Sequence, residues 1–373
     1  MSCTVAPGRP PVARDQVARL ARMDLPPPES VLTTAQARAS GLSRWDLRSG
    51  VYRSVRHDVH VHAGLDPADA GVRIAIAAAA LPERTVVGGW AAARLHELGV
   101  AGRQLDLFDG HLPGAPGRWP LPILVTGEAS TRVHVTAGID VFRSIVPPDE
   151  RIVVAGVPVT TPLRTAFDLA RLWSLVPAVV AVDRLLALGL VRLEDLGSMV
   201  GERARWRGVG GARRVAWLAD AGAESPRETL LRLLWMGAGF PRPMCNPVVT
   251  DAAGRFVARV DLLDAQAGVV GEYDGVVHAD MVRRADDARR QEALEDLGLV
   301  VVRAAAPDLA TAAGRAALRH RLARAYGRSR GRAAGAAAWR CDEPAAPSIK
   351  WSKAAVKRLK WSEVAPPCST SGG

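Results

Sequence analysis

At 373 residues, 48% of them apolar and 23% charged, the chain exceeds one ordinary domain and can build more than one buried core. No apolar leader opens it, and its most apolar run, residues 175–191, is broken by Asp183 and Arg184, which argues against secretion and against a membrane partner. Four scattered cysteines (Cys3, Cys245, Cys341, Cys368) without Cys-x-x-Cys spacing argue against a zinc site or disulfide framework and suit a cytoplasmic protein.

Residues 1–29 are rich in Pro and Arg and read as a disordered leader. Residues 30–63 read as two short helices and a ribbon. Thr33 and Gln36 form a T-x-x-Q capping box, Gly41 ends the first helix, and Ser43 with Asp46 starts a second. Val51, Val55, Val59 and Val61 then share a strand face around a turn at 56–58. This is the order of a winged helix-turn-helix, although two small capped helices occur in many globular proteins.

Residues 64–205 alternate helix-like stretches (66–81, 89–98) with extended ones (121–125, 134–143, 151–159). Asp66-Pro67 and Thr161-Pro162 are predicted helix starts, a capping oxygen preceding a proline that needs no N–H partner. After the second start, Leu163, Phe167 and Ala170 line one face, while His96 and His134 read as structural histidines. Residues 206–224 read as a basic, Gly-broken linker.

Residues 225–309 carry a sharper pattern. Ser225, Pro226 and Glu228 predict a helix start, Leu230, Leu233 and Leu234 its apolar stripe, and Gly237 and Gly239 its stop. Strands are predicted over 246–250, 255–263 and 269–274, a charged helix over 281–297 and a buried strand over 299–302. Residues 310–373 hold almost all of the net charge of +11 and read as a basic, disordered tail, able to add salt-sensitive affinity for phosphates.

With the hairpin loop centred between Gln266 and Ala267, Asp261 falls opposite Glu272 and Arg259 opposite Asp274. Alternation then places Arg259, Asp261, Glu272 and Asp274 on one face and Val260, Leu262, Gly271 and Tyr273 on the other. Two carboxylates roughly 5 Å apart repel by about 3 kcal/mol at an effective dielectric near 20. A bound cation, a protonated carboxyl or neutralisation by Arg259 relieves this. Magnesium, which takes a few carboxylates plus waters, suits such a cluster, with Mn²⁺ as a substitute; the plain alternative is an Arg259–Asp274 ion pair with the other two acids in solvent.

The run Glu228 … Val260-Asp261 … Glu272-Tyr273-Asp274-Gly275 … His278 … Leu294 … Gly298 … Arg303 resembles the very-short-patch-repair-endonuclease-like domains of the PD-(D/E)XK superfamily, over about 225–308. The resemblance implies metal ligation by Asp261 and Glu272, with Asp274 where many relatives have lysine and His278 as a proton carrier. Glu228 matches an acid on the first helix, and as N3 of Ser225-x-x-Glu228 it also completes a capping box. Arg283, Arg284, Arg289 and Arg290 on the next helix are candidates for phosphate contact, or for a solvated face shared with Asp286, Asp287 and Glu292.

The stretch Val31-Leu32-Thr33-Thr34-Ala35-Gln36 through Leu42-Ser43 with its valine ribbon, then residues 90–96 and 158–169, is similar to AbiEi-type antitoxins of type IV toxin–antitoxin systems. That resemblance implies DNA contact by Ser43, Arg44 and Trp45 at a recognition helix and by Arg53 and Arg56 on the wing. It also implies a nucleotidyltransferase-like toxin as a partner.

The combined expectation is a mixed α+β chain: a winged helix-turn-helix, a middle α/β region and a restriction-endonuclease-like αβββαβ core. Its expected activity is Mg²⁺-dependent hydrolysis of DNA phosphodiesters through Asp261, Glu272, Asp274 and His278. The alternative is a non-enzymatic, antitoxin-like regulator carrying an inactive nuclease scaffold.

Overall fold

The structure is a computed structural model that describes residues 25–100, 107–112, 120–128, 138–274, 281–330 and 339–341, without the side chains of 281–287. It is mixed α+β and divides into two compact units. The first holds the described residues up to 111 together with 120–165; the second holds Leu112 and those from 166 onward.

The first unit begins with β1 (Val31–Thr33) and α1 (Thr34–Ala39), joined by the expected capping box: Gln36 N–H donates to Thr33 Oγ1 at 3.1 Å, and Thr33 N–H to Gln36 Oε1 at 2.8 Å. The ribbon β2 (Tyr52–Arg56) and β3 (Val59–His62) comes after it, β1 pairing with β3 to give the order β1-β3-β2. Val59 and Val61 are fully buried and pack with Val31 and Val72, so the ribbon shares its core with α2 (Ala70–Ala79). Val51, expected on that face, is exposed, and a register shift between Ser54 and Arg56 interrupts the alternation.

The helix start expected at Asp66 lies three residues later. Asp69 caps α2 by accepting from Gly71 and Val72 N–H, while Asp66 accepts from Ala68 N–H in the preceding turn. Next come β4 (Val86–Gly88), α3 (Gly89–Leu98), β5 (Ile123–Gly127), β6 (Ile139–Arg143) and the hairpin β7 (Arg151–Val154) and β8 (Val157–Thr160). They form a five-stranded mixed sheet in the order β6-β5-β4-β8-β7. His96 is structural, as expected: it is buried, its Nε2 lies 2.8 Å from the Thr160 carbonyl, and burial lowers its pKa to about 4. His134 lies outside the described residues.

The boundary between units falls inside α4 (Pro162–Leu172), so the expected 64–205 region is not one body. Helices α5 (Leu175–Ala187), α6 (Leu193–Glu202) and α7 (Val209–Leu218) belong to the second unit. The expected linker over 206–224 is largely α7, whose Ala212, Val215, Ala216 and Leu218 are buried.

A polar network ties α5 to α8 (Pro226–Gly237). Asp183 accepts from Arg232 Nη2 at 2.5 Å, Thr229 Oγ1 at 2.8 Å and Asp220 N–H at 2.8 Å, and Arg232 also donates to the Leu218 carbonyl. Buried charges persist when partners answer them, and here Arg232 Nε is the one guanidinium nitrogen buried without a partner among the described residues. Burial raises the Asp183 carboxyl above its ordinary range, and Arg232, the Asp220 N–H and the Thr229 hydroxyl oppose that rise. Burial opposes the Arg232 charge, but Asp183, Cys245 and Asp220 together outweigh it and hold the guanidinium above its ordinary range.

Two sheets complete the second unit. Strands β9 (Met244–Cys245), β12 (Leu262–Asp264), β13 (Val269–Asp274) and β14 (Val300–Ala305) form one, in the order β14-β13-β12-β9. Strands β10 (Val248–Asp251), β11 (Phe256–Arg259) and β15 (Trp339–Cys341) form the other, in the order β11-β10-β15. The strand expected over 255–263 is therefore two strands in two sheets. Its partner breaks at the same level, at Asn246-Pro247, where Asn246 has φ +52° and proline lacks the ladder donor. Asn246 N–H to Asp261 O (2.9 Å) and Val260 N–H to Pro247 O (3.2 Å) hold this corner.

Helix α9 (Met281–Asp296) crosses from β13 to the parallel β14, burying Leu294 against Val260, Leu263, Val270 and Leu299. Short α10 (Ala306–Ala310) leads into α11 (Ala312–Arg330). The expectation of a wholly disordered tail is thus corrected. Leu318, Leu322, Ala325 and Tyr326 bury one face of α11, and β15 pairs with β10. Tyr326 Oη donates to Asp264 Oδ2 at 2.6 Å, receives Trp235 Nε1–H at 3.1 Å, and stacks on Phe240 at 4.2 Å.

Candidate functional site

The acids meet where β13 runs out of the sheet. The observed ladder, Leu262↔Gly271 through Asp264↔Val269, has the register expected from the loop centre and brings Asp261 beside the next rungs. Tyr273 N–H donates to Asp261 Oδ2 at 2.7 Å. Asp261 Oδ1 accepts from no described residue. The side chain is half-buried, and burial raises its pKa above the ordinary 3.8; the Tyr273 N–H opposes this, Glu228 adds to it, and Arg290 and Arg259 lower it. Desolvation outweighs the available counter-charge.

Glu272 is buried on the α9 side of the sheet. Arg290 Nη2 lies 2.6 Å from its Oε1, and Arg303 Nε lies 3.9 Å from its Oε2, as the rung Glu272↔Arg303 requires. The same Arg290 nitrogen donates to the Arg259 carbonyl at 2.6 Å, so one guanidinium joins α9 to both β11 and β13.

Arg259 does not oppose Asp274. Because β11 has left for the second sheet, Arg259 instead forms a two-point pair with Glu224, and that hydrogen bonding raises its pKa. Asp274 stands exposed at the end of β13, its rung partner Ala305. The expected three-acid convergence is not observed: Asp261 lies one position beyond the Leu262↔Gly271 rung, beside Glu272 in the ladder, Glu228 perturbs its charge, and Asp274 stands apart. Among the described residues no set of three His, Cys, Asp or Glu side chains is placed to hold a metal.

Glu228 makes half of its capping box. Its N–H donates to Ser225 Oγ at 3.2 Å, but its carboxylate accepts from Glu224 N–H at 2.9 Å and Asn246 Nδ2 at 2.5 Å, bracing the Asn246 corner. His278 and the side chain of Arg284 lie outside the described residues.

The donor set fits a small hard dication. The Asp261 carboxylate is held by the Tyr273 N–H and the Glu272 carboxylate by Arg290, one oxygen of Asp261 is unengaged among the described residues, and Mg²⁺ needs only one or two carboxylates because it keeps its own waters. Arg290, expected among the candidates for phosphate contact, is instead the competing cation on Glu272, a pairing that the sequence pattern alone did not foretell. The available signal was its position four residues before the core residue Leu294, on the same helix face.

At the N-terminal end the recognition helix expected from Ser43 is one 3-10 turn, Asp46–Arg48. Ser43 and Asp46 do bond reciprocally (Asp46 N–H to Ser43 Oγ 3.2 Å, Ser43 N–H to Asp46 Oδ2 2.7 Å), but only a turn comes before Gly50. Ser43, Arg44 and Trp45 thus sit in a loop, with Trp45 75% exposed. Arg53 donates to the Leu65 carbonyl, and Arg56 is half-buried, its pKa lowered by burial. Arg53 thus engages the protein's own backbone, while Arg56 Nε and Nη1 are buried without a hydrogen-bond partner among the described residues.

Among the described residues no helix is long and apolar enough to cross a membrane. No protein-family model and no solved structure matches the chain. It is similar to two uncharacterised proteins of Mycobacterium tuberculosis, from strains CDC 1551 and H37Rv, each 28% identical over 204 residues, which is 54% of this chain and 73% of the relative.

Proposed function

We propose that this is a DNA-binding protein whose second unit hydrolyses phosphodiesters with Mg²⁺, Asp261 and Glu272 being the residues that hold the ion. The observation that carries this reading is Asp261: a half-buried carboxyl with one oxygen unengaged among the described residues, whose charge its neighbours do not balance, adjoining a second acid on a rigid strand. When bound, the ion supplies charge for a phosphoryl oxygen and lowers the pKa of a water. Tyr273 N–H fixes the Asp261 carboxylate, and Arg303 sits behind Glu272. Arg290, once off Glu272, is available to a phosphate oxygen. The resemblance implies His278 as the proton carrier, while Asp274, exposed at the end of β13, has no step assigned to it.

A second reading has its own observation. The Arg290–Glu272 pair at 2.6 Å satisfies Glu272 without a metal, as a DNA-binding, antitoxin-like regulator with a silent nuclease fold would have it. Restraint of a nucleotidyltransferase-like toxin rests on the N-terminal resemblance alone.

Supercoiled plasmid incubated with the protein and with Asp261→Ala, in Mg²⁺, Mn²⁺ or EDTA, separates the two. Metal-dependent nicking that Asp261→Ala abolishes supports hydrolysis. Retarded but intact plasmid in every lane supports the regulator.

A further inference from the structure

Helix α11 carries six arginines and a histidine between Ala312 and Arg330 and no acidic residue. Its buried face is occupied by Leu318, Leu322, Ala325 and Tyr326, and the Tyr326–Asp264 bond fixes its rotation about its axis. The arginines that remain outside are therefore held in place. Arg321, Arg324 and Arg328, at i, i+3 and i+7, line a cavity of about 530 Å³ with Arg303 of the edge strand β14, over a floor of Val301 and Val302.

Arg321 has a counter-charge in Asp308, 2.7 Å from its Nη2. No described residue pairs with Arg324 or Arg328, both exposed. Like charges three and four residues apart on a helix repel, and a chain keeps such a row at a cost unless an anion answers it. The row is also elongated. From Arg321 to Arg328 the helix rises by about 10 Å, longer than one phosphate group and long enough to face successive phosphates of one backbone strand. A compact anion would satisfy one or two of these guanidiniums; a phosphate chain satisfies the row.

The groove leads to the candidate site. Arg303 lies both in its wall and 3.9 Å from Glu272. We infer that the α11–β14 groove is a phosphate track that seats the sugar-phosphate backbone of DNA and delivers it to the Asp261–Glu272 end of the sheet. Its role in delivery rests on the hydrolysis proposed above; its affinity for the backbone does not.

The test is fluorescence anisotropy of a labelled 20-base-pair duplex with the full chain, across a salt series. The comparison is wild type, Arg324→Ala/Arg328→Ala, Arg324→Lys/Arg328→Lys, and Arg53→Ala. Each phosphate contact contributes about −0.9 to the slope of log K against log salt, so the double alanine variant is expected to lose about 1.8 from the slope and, with affinity at about 1 M salt unchanged, about 60-fold in affinity near 0.1 M salt. The lysine pair should keep the slope, and Arg53→Ala should match wild type. An unchanged slope in the double alanine variant, no duplex binding by wild type, or competition by millimolar inorganic phosphate as strong as by unlabelled duplex would each overturn the track. Plasmid nicking separates the two ideas. Duplex binding lost in the alanine pair without any nicking by wild type leaves the track and removes the hydrolysis; nicking with an unaltered salt slope does the reverse.

Discussion

Replacing Asp183 by alanine tests the packing of the second unit at its most deeply buried charges. Asp183 and Arg232 are 1% and 0% exposed, and Asp183 receives three hydrogen bonds. The substitution leaves a fully buried guanidinium with only the Leu218 carbonyl, orphans the Asp220 N–H, and leaves the Thr229 hydroxyl only the Ser225 carbonyl. Removing one partner of a buried pair costs about 3–5 kcal/mol, most of it the uncompensated charge. With a urea dependence of about 2–3 kcal/mol per molar, the midpoint of the second unit's transition should fall by about 1–2 M. Far-UV circular dichroism and tryptophan fluorescence should both report it, since Trp235 is fully buried on the helix that carries Arg232. Asp183→Leu with Arg232→Met, which removes both charges, should recover most of the loss. A midpoint change below about 0.3 M in Asp183→Ala would mean that water reaches Arg232 and that α5 does not pack tightly on α8.

Two further perturbations probe the site's surroundings. Asp261 titrates above the ordinary aspartate range in the folded chain, so the folded state holds its proton more tightly than the unfolded one. That contribution to stability is fully present below about pH 4 and is lost as pH rises through the folded value. In EDTA, Asp261→Asn, which cannot ionise, should therefore gain in melting temperature on wild type as pH rises from 4 to 8; a pH-independent difference would refute the burial argument. Gly271→Ala places a Cβ 2.8 Å from Trp235 Cζ3, so melting should report a loss of about 1–3 kcal/mol, and an unchanged melting temperature would show that Trp235 can move aside.

Much of the second unit was legible because its signals were local. The hairpin register followed from the loop centre, and the strand 269–274 has the expected bounds. The sheet switch at Val260-Asp261 was hidden because alternation runs through it unchanged; Pro247 on the partner strand was its signal. That switch is why Arg259 pairs with Glu224 and Asp274 stands apart. The tail was misread through its average charge, although Leu318, Leu322 and Ala325 at helical spacing mark a buried face within it. In the first unit, cap chemistry at Ser43 was correct and helix length was not, since caps specify where a helix starts and tertiary packing decides how far it runs.

Whether Asp261 and Glu272 hold a dication is decided by calorimetric titration of the metal-free full chain with Mn²⁺ at pH 7.5, wild type against Asp261→Asn. Wild type is expected to show a saturable site, weakened at least tenfold by the substitution, and tightened in Arg290→Gln, where Glu272 has lost its competing guanidinium. Heats without saturation in all three proteins would contradict metal binding, and would leave Arg290 as the permanent partner of Glu272.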